Sequence, residues 1–235
     1  MRIEIWSDVV CPWCYIGKRR LEKALSTFPH EVEVIWRSFQ LDPGSPQQAV
    51  DTVADYLGKK YGGGPEAGRA MVDRVEAVAA GEGMIWRHSQ SLRVNTMDAH
   101  RLLHAALADG GPQLQGALKE ALLKAYFADA LNVADHAVLR DVALGAGLAD
   151  TRVEEVLGSA LYTDEVWNDQ QTAASLGATG VPFYVIDRAY GVAGAEAPEV
   201  FADVLRQAWE ASHPSLQIIQ ADDSCGPDGC ELPQR

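Results

Sequence analysis

The sequence has few of the features that define several large classes of protein. Only four of its 235 residues are cysteine, far too few for a scaffold held together by disulfides. Its 20 basic residues against 33 acidic ones leave a net charge of −13, which disfavours general nucleic-acid binding and docking on anionic membranes. No apolar run reaches the ~18 residues of a membrane span. The expected partners are therefore other proteins or small molecules.

The N-terminus also lacks the features of a secretory leader. Residues 1–8 follow a strand pattern, without the apolar stretch and small-residue cleavage site of a signal peptide. If the chain is complete, this predicts a cytoplasmic protein. Hydrophobic residues make up 47% of the chain and charged residues 23%, as in an ordinary globular protein of one or two domains.

The first 36 residues alternate between strand and helix patterns. Apolar and polar residues alternate over 2–6, which places Ile3 and Ile5 on one face of a short strand. Helical spacing begins at about Pro12, and strand alternation returns over 31–36. A strand, helix and strand of this length predict a βαβ unit with a parallel pair.

A block rich in alanine and leucine follows, and it predicts consecutive helices separated by glycine-containing turns. The candidate helices are 47–60, 66–81, 96–108, 112–129, 136–146, 151–158 and 162–176.

Strand character then returns over 179–186. A turn at 187–188 leads to a hairpin partner at 189–192, and a last helix is predicted over 199–211. The simplest interpretation is an α/β protein in which a helical domain interrupts a small sheet domain. The predicted domains are a discontinuous sheet domain (1–45 and 177–213), a helical insertion (46–176) and a C-terminal tail (214–235).

Two cysteines stand three positions apart where the first strand gives way to the first helix, in the order Cys11, Pro12, Trp13, Cys14. The unpaired N–H groups of a helix N-terminus favour a thiolate there. Pro12 suits the first turn because that position needs no N–H donor. This predicts an exposed nucleophile at Cys11 and a deeper, resolving Cys14. An inert buried pair and half of a zinc site are the alternatives, although no second pair lies ~15–20 residues further on.

These residues belong to a longer resemblance. The chain is similar to DsbA-like thioredoxin-fold oxidoreductases, specifically the FrnE-type branch, over nearly its whole length. The matching segments are 7–17, 39–43, 99–102, 126–127 and 180–183. The resemblance implies a thioredoxin-like fold with an inserted all-α domain, and thiol–disulfide exchange at Cys11 and Cys14.

The same resemblance gives a meaning to Val181 and Pro182. In this family the X–Pro bond before the third strand is cis and faces the cysteine pair, so the resemblance implies a cis bond here. A proline offers no N–H, which would leave the backbone of Val181 to pair with an extended substrate. The alternative is an ordinary proline at the start of a strand.

A second pair, Cys225 and Cys230, encloses a Gly-Pro-Asp-Gly turn sequence near the C-terminus. A disulfide closing so short a loop adds little stability. The pair is predicted to be a second redox centre that exchanges electrons with the first, and FrnE-type proteins carry a similar pair. A structural disulfide and a metal site remain open alternatives.

Two further features modify the prediction. DsbA carries histidine where this chain has Trp13, and an indole supplies no positive charge to a thiolate; with Asp8 nearby, Cys11 is expected to be less acidic and the disulfide less oxidising. Trp13 is also a candidate apolar platform for substrate. His100 and His104 are spaced for a metal but lack a third ligand, so His100 is interpreted as packing and His104 as partly exposed.

The sequence thus predicts a protein disulfide oxidoreductase without cofactor or resident metal, acting on protein thiols or disulfides, with glutathione as a further candidate partner. A monomer or a homodimer is expected. Two other functions remain: a glutathione-dependent enzyme resembling kappa-class transferases or 2-hydroxychromene-2-carboxylate isomerases, and a non-enzymatic chaperone or metal-binding module. The glutathione-dependent enzymes typically carry serine where this chain has Cys11.

Overall fold

The computed structural model describes residues 1–214. Four strands and eight α-helices, with one short 3₁₀ helix, make up this part of the chain. In chain order they are β1 (Arg2–Ser7), α1 (Pro12–Leu25), β2 (Glu33–Ser38), α2 (Val53–Tyr61), α3 (Gly64–Gly81), the 3₁₀ helix (His88–Gln90), α4 (Met97–Phe127), α5 (His136–Ala146), α6 (Asp150–Leu157), α7 (Thr163–Ser175), β3 (Phe183–Ile186), β4 (Tyr190–Ala193) and α8 (Pro198–Ser212).

The four strands form one mixed sheet in the order β2-β1-β3-β4. β1 and β2 are parallel and joined through α1, so the predicted βαβ unit is confirmed. β3 is antiparallel to both β1 and β4. The β3–β4 turn lies where it was predicted: Asp187 and Arg188 have φ values of 46° and 57°, and with Ala189 they form a three-residue loop between the paired residues Ile186 and Tyr190.

Both faces of the sheet are covered by helices. Ile3 and Ile5 share one face, and both are buried against α1 and α8 in a cluster that includes Leu21 and Phe201. Trp6 points to the other face, where its indole N–H donates to the backbone oxygen of Asp169 in α7 at 2.7 Å. The alternation read from the sequence therefore corresponds to a strand that is buried on both sides.

Helices α2–α7 stand between β2 and β3 in the chain, as the predicted insertion requires. Their apolar core is continuous with the first turn of α1, because Tyr15 stacks on Trp86 with ring centroids 5.7 Å apart. Helix α4 crosses this core and covers the free edge of β2. There the side chain of Gln115 accepts from the N–H of Trp36 and donates to its C=O, both at 2.9 Å. A side-chain amide thus replaces a missing neighbouring strand.

Two predicted helix boundaries differ from the structure. The first helix of the insertion begins at Val53 instead of 47, because Thr52 is its N-cap and accepts a hydrogen bond from the Asp55 N–H. The predicted helices 96–108 and 112–129 are joined end to end as α4, with a kink at Gly111, where φ is 66°. Within residues 1–214, none of the helices combines the length and apolarity needed to cross a membrane.

Candidate functional site

Cys11 and Cys14 lie at the junction between β1 and α1, beside the end of the parallel strand pair. Cys11 is the N-cap of α1 in an extended conformation, and Pro12 occupies the first turn. The Cys11 carbonyl accepts from the N–H groups of Cys14 and Tyr15, at 3.1 and 3.4 Å. The two cysteine side chains are 3.3 Å apart and both are free thiols. This short turn is what brings two sulfur atoms within reach of a single disulfide bond.

The prediction of an exposed Cys11 is wrong. Cys11 is 2% exposed and Cys14 is 1% exposed. The sulfur of Cys11 lies 3.7 Å from the carbonyl oxygen of Val181, so the loop before β3 covers it. The two thiols nevertheless differ in access, since Cys11 lines a cavity that Cys14 does not reach.

The loop over the cysteine pair contains a cis Val181–Pro182 bond, as the resemblance implied. Pro182 is buried and packs on the first turns of α1 beside Gly17. A side chain at Gly17 would not fit, because its Cβ would lie 2.3 Å from the hydroxyl of Tyr184 and 3.2 Å from Pro182. The cysteine helix and the Val181–Pro182 loop are therefore held in close contact.

The two thiols have opposite tendencies to ionise. Burial opposes a charge on Cys14, but the hydrogen bond from Cys11, the Lys119 ammonium, the Ser7 hydroxyl and the Asp8 N–H together hold the pKa of Cys14 below that of an ordinary thiol. The pKa of Cys11 is raised well above its ordinary value, because its proton is held by Cys14 and because burial and nearby negative charge add to the effect. Of the two thiols, Cys11 therefore holds its proton more firmly, in the direction expected from the uncharged Trp13 and the nearby Asp8.

The carboxylate of Asp8 acts on the cysteine pair, and both of its oxygens have hydrogen-bond partners. Its side chain accepts from the N–H of Val9 and from the N–H of Leu41, both at 2.8 Å, and lies 3.2 Å from the His100 ring. Burial alone would raise the pKa of Asp8, but His100 and these donors hold it below its usual value. Burial lowers the pKa of His100, so Asp8 carries the charge and His100 the neutral ring.

His104 is buried, which corrects its interpretation as partly exposed. It is 9% exposed, and its Nε2 lies 3.1 Å from the Ser38 hydroxyl and 3.2 Å from an Asp169 carboxylate oxygen. His100 and His104 have separate partners: Asp8 follows the end of β1, whereas Ser38 ends the neighbouring β2 and Asp169 lies in α7. Among residues 1–214 no group of three or more histidine, cysteine or acidic side chains is arranged to hold a metal ion.

A cavity of about 420 Å³ opens beside Cys11, between the cysteine turn and helices α2 and α3. Its wall is mainly apolar and aromatic, and Trp13, 43% exposed, stands at its edge. Arg93 supplies the main positive charge; it pairs with Asp42 at 2.6 Å and lies over the Tyr56 ring at 4.3 Å. The cavity thus offers an apolar surface and one cation next to the accessible sulfur.

His88 closes the inner end of this cavity, and its burial predicts a pH effect on stability. It is 2% exposed, its Nδ1 has no hydrogen-bond partner within residues 1–214, and it packs on Phe127 at a centroid distance of 4.8 Å. Burial lowers the pKa of His88 from 6.5 to about 4. Between these pH values the unfolded chain binds a proton that the folded chain does not.

Above pH 6.5, His88 is neutral in both the folded and the unfolded chain and adds no pH dependence. As the pH drops towards 4, the free energy of unfolding falls by about 3 kcal/mol in total, because only the unfolded chain binds the proton. Urea unfolding of the wild type and of His88→Leu across this range should show a shallower loss in the variant, with the two curves parallel above pH 6.5. Parallel curves throughout would contradict the assignment.

Several of these groups escaped the sequence analysis. Lys119, His88 and Arg93 belong to no motif, and they meet the cysteine turn only in three dimensions. One signal was available: Gln115, Lys119 and Leu122 share one stripe of α4, so two polar residues interrupt an otherwise apolar face.

The roles predicted for Cys11, Pro12, Trp13, Cys14, Val181 and Pro182 remain predictions, although these residues surround one site. Cys225 and Cys230 lie outside the described residues, as does nearly all of the predicted tail, 214–235.

Comparisons with known proteins agree on the family. The model of the DsbA-like thioredoxin domain matches residues 2–206. A Streptomyces coelicolor protein named "probable DsbA oxidoreductase" is 48% identical, with both chains fully covered and a TM-score of 0.84. The cytosolic disulfide reductase DsbM of Pseudomonas aeruginosa, solved with GSH, is 16% identical over 89% of this chain and 100% of that chain, with a TM-score of 0.62.

Two further similarities are more limited. A 2-hydroxychromene-2-carboxylate isomerase is 12% identical over 90% of this chain and 98% of that chain, with a TM-score of 0.66, and this likeness, like that to DsbM, concerns the fold alone. Protein YwbO of Bacillus subtilis, itself uncharacterised, is 42% identical over 55 residues, 23% of this chain. The match spans only 26% of that curated relative.

Proposed function

Because the chain belongs to the DsbA-like thioredoxin domain family, and so has a thioredoxin-like fold with a helical insertion, we propose that it is a protein thiol–disulfide oxidoreductase that uses Cys11 and Cys14. The observation that carries this proposal is the pair of free thiols 3.3 Å apart at the N-terminus of α1, one of which opens onto a cavity. A pair at this distance forms and breaks a disulfide without rearrangement of the backbone.

In the reducing direction, Cys11 gives up its proton and its sulfur attacks a substrate disulfide, which forms a mixed disulfide and releases one substrate thiolate. The Cys14 thiolate then attacks the Cys11 sulfur, the mixed disulfide breaks, and the second substrate thiolate leaves. Two electrons pass to the substrate, its two sulfur atoms take up the protons, and Cys11 and Cys14 become a disulfide. The oxidising direction is the same sequence reversed.

The surroundings of Cys11 indicate the kind of substrate. Val181 and Pro182 lie beside the attacking sulfur, where the backbone of an extended peptide would pass. Trp13 and the apolar cavity suit an apolar side chain next to the substrate cysteine. We propose cytoplasmic protein thiols and disulfides as substrates, with the protein acting as a monomer or homodimer. The narrower FrnE-type assignment is part of the same proposal.

A glutathione-dependent reaction is a second candidate, favoured by the partly enclosed cavity beside Cys11. The presence of two cysteines at the site favours the disulfide chemistry instead, because a transferase or isomerase needs no resolving thiol.

Thiol mapping across a graded series of glutathione redox buffers tests the proposal. Alkylation and mass spectrometry should show a reversible transition between the Cys11–Cys14 dithiol and its disulfide. The tail peptide reports Cys225 and Cys230 separately, and a second reversible transition there would identify a second redox pair. A Cys11–Cys14 pair that takes no part in exchange at any buffer ratio would overturn the proposal.

A further inference from the structure

Lys119 is a fully buried cation with very little to neutralise it. It is 0% exposed, and its ammonium makes a single hydrogen bond, to the backbone oxygen of Ser7 at 3.4 Å. It also lies over the Trp36 ring at 5.4 Å. Within residues 1–214, no carboxylate lies at ion-pair distance from Lys119. A charge in such a place is costly unless it has a partner in some state of the protein.

The carboxylates near Lys119 are already committed to other groups. Asp8 is held by His100 and by two backbone N–H groups. Glu120, the next residue on α4, turns away to Lys18 and Arg19 on α1. Neither carboxylate approaches the Lys119 ammonium closely enough to pair with it.

The anion that remains is the thiolate of the cysteine pair. Lys119 contacts the backbone of Ser7, the last residue of β1, which leads into the cysteine turn, and the Lys119 ammonium helps to hold the pKa of Cys14 below that of an ordinary thiol. Cys11, the backbone of Asp8 and the charge of Lys119 act on Cys14, and Tyr184 on β3 is affected by both cysteines. Lys18 on α1 and His100 on α4 act on Lys119 and Asp8, respectively. Of the two lysines in this set, Lys18 is paired with two carboxylates, which leaves Lys119 as the uncompensated charge.

We propose that Lys119 is a positioning residue that stabilises the negative charge on Cys14 whenever the disulfide is open. This rests on the proposed disulfide chemistry and adds a group to it. When a substrate thiolate attacks Cys11 in the disulfide, the sulfur–sulfur bond breaks and its electron pair stays on Cys14. Lys119 then gains the counter-ion that it lacks in the oxidised protein, so the reduced form is favoured and the disulfide becomes a stronger oxidant.

The charge state of Lys119 is compatible with this role. Burial lowers the pKa of Lys119 to about 8, while the cysteines and Asp8 oppose the shift, so the ammonium is still mainly protonated near neutral pH. Trp13 carries no charge, and the positive charge comes from α4 behind the pair instead of from the cysteine turn.

Titration of a single thiol tests the proposal directly. In a full-length protein with Cys11→Ala, Cys225→Ser and Cys230→Ser, only Cys14 absorbs as a thiolate, and its titration can be followed in the ultraviolet without a reagent entering the site. Adding Lys119→Met should raise the midpoint by about one pH unit or more. Lys124→Met, on the exposed side of the same helix, is the matched control and should leave the midpoint unchanged.

A second measurement uses the chain with all four cysteines. In Lys119→Met, the equilibrium of the Cys11–Cys14 pair with glutathione should move about tenfold towards the disulfide. Methionine keeps the length of the side chain and removes an uncompensated charge, so the variant is expected to fold; circular dichroism checks this, and Lys119→Gln is the alternative if it does not.

The two proposals fail in different ways. A folded Lys119→Met or Lys119→Gln protein with an unchanged Cys14 titration and glutathione equilibrium would overturn the role of Lys119. A wild-type protein that forms no reversible disulfide would overturn the oxidoreductase function, while the single-thiol titration would still decide whether Lys119 acts on Cys14.

Discussion

Insulin disulfide reduction by the Cys11→Ala variant is expected to fall to the rate of the uncatalysed mixture. Of the two sulfur atoms in the pair, Cys11 is the one that lines the cavity, so no other thiol at this site meets a substrate disulfide first. Because methyl replaces a small buried thiol, the fold should be retained. Turbidity from precipitating insulin chains, with dithiothreitol as electron donor, measures the rate.

Cys14→Ala is the informative companion to this variant. It should still attack substrate but cannot resolve the mixed disulfide, so a covalent complex with insulin should accumulate on non-reducing gels. A double Cys225→Ser, Cys230→Ser variant separates any contribution of the tail from that of the first pair. If Cys11→Ala keeps the wild-type rate while Cys225→Ser, Cys230→Ser loses it, the chemistry belongs to the other pair of cysteines.

Gly68→Ala is expected to lower the free energy of unfolding by about 3 kcal/mol, the largest effect on stability that we predict for a single substitution at constant pH. Helices α2 and α3 cross at this glycine, and a Cβ there would lie 1.9 Å from the Ala54 carbonyl oxygen and 2.8 Å from the Gly58 nitrogen. These atoms belong to the backbone and cannot rotate away, so the two helices must separate. Since both line the cavity beside Cys11, the separation should also change its shape.

Gly81→Ala is the matched control on the same helix. A Cβ at Gly81 would meet no atom within 4 Å, so alanine there should be neutral or stabilising by up to about 1 kcal/mol. Thermal unfolding should place Gly68→Ala roughly 6–12 °C below the wild type and Gly81→Ala at or slightly above it. Equal melting temperatures for the two variants would show that the helices are not in the close contact described here.

The parts of the fold that local sequence could predict are the parts with local causes. β1 was visible because apolar and polar residues alternate over 2–6, and the β3–β4 turn because the polar pair Asp187 and Arg188 separates two segments with strand character. Pro12 helped to identify the start of α1, because the first turn of a helix needs no N–H donor there. The boundary at Val53 was missed because a single cap, Thr52, outweighed the helical pattern upstream.

In the candidate site, too, only the features with local causes could be predicted. Cys11, Cys14 and the turn between them could be read directly from the sequence, because only two residues separate the cysteines in the chain. The burial of Cys11, the opposite pKa shifts of the two thiols and the presence of Lys119 could not be predicted from the sequence. Lys119 is 105 positions from Cys14 in the chain, and no periodicity of α4 states which sulfur it will face.

The sequence by itself thus determined which groups are proposed to carry the chemistry: a dithiol at a helix N-terminus and, far along the chain, the proline that the resemblance implied to be cis. Tertiary structure decided how those groups behave. Ionisation of a thiol depends on how much water is removed from it and on charges within a few ångströms, and both come from elements that meet only when the chain has folded. Burial by the Val181 loop and a cation from α4 therefore give the two cysteines different properties that their motif alone would not have distinguished.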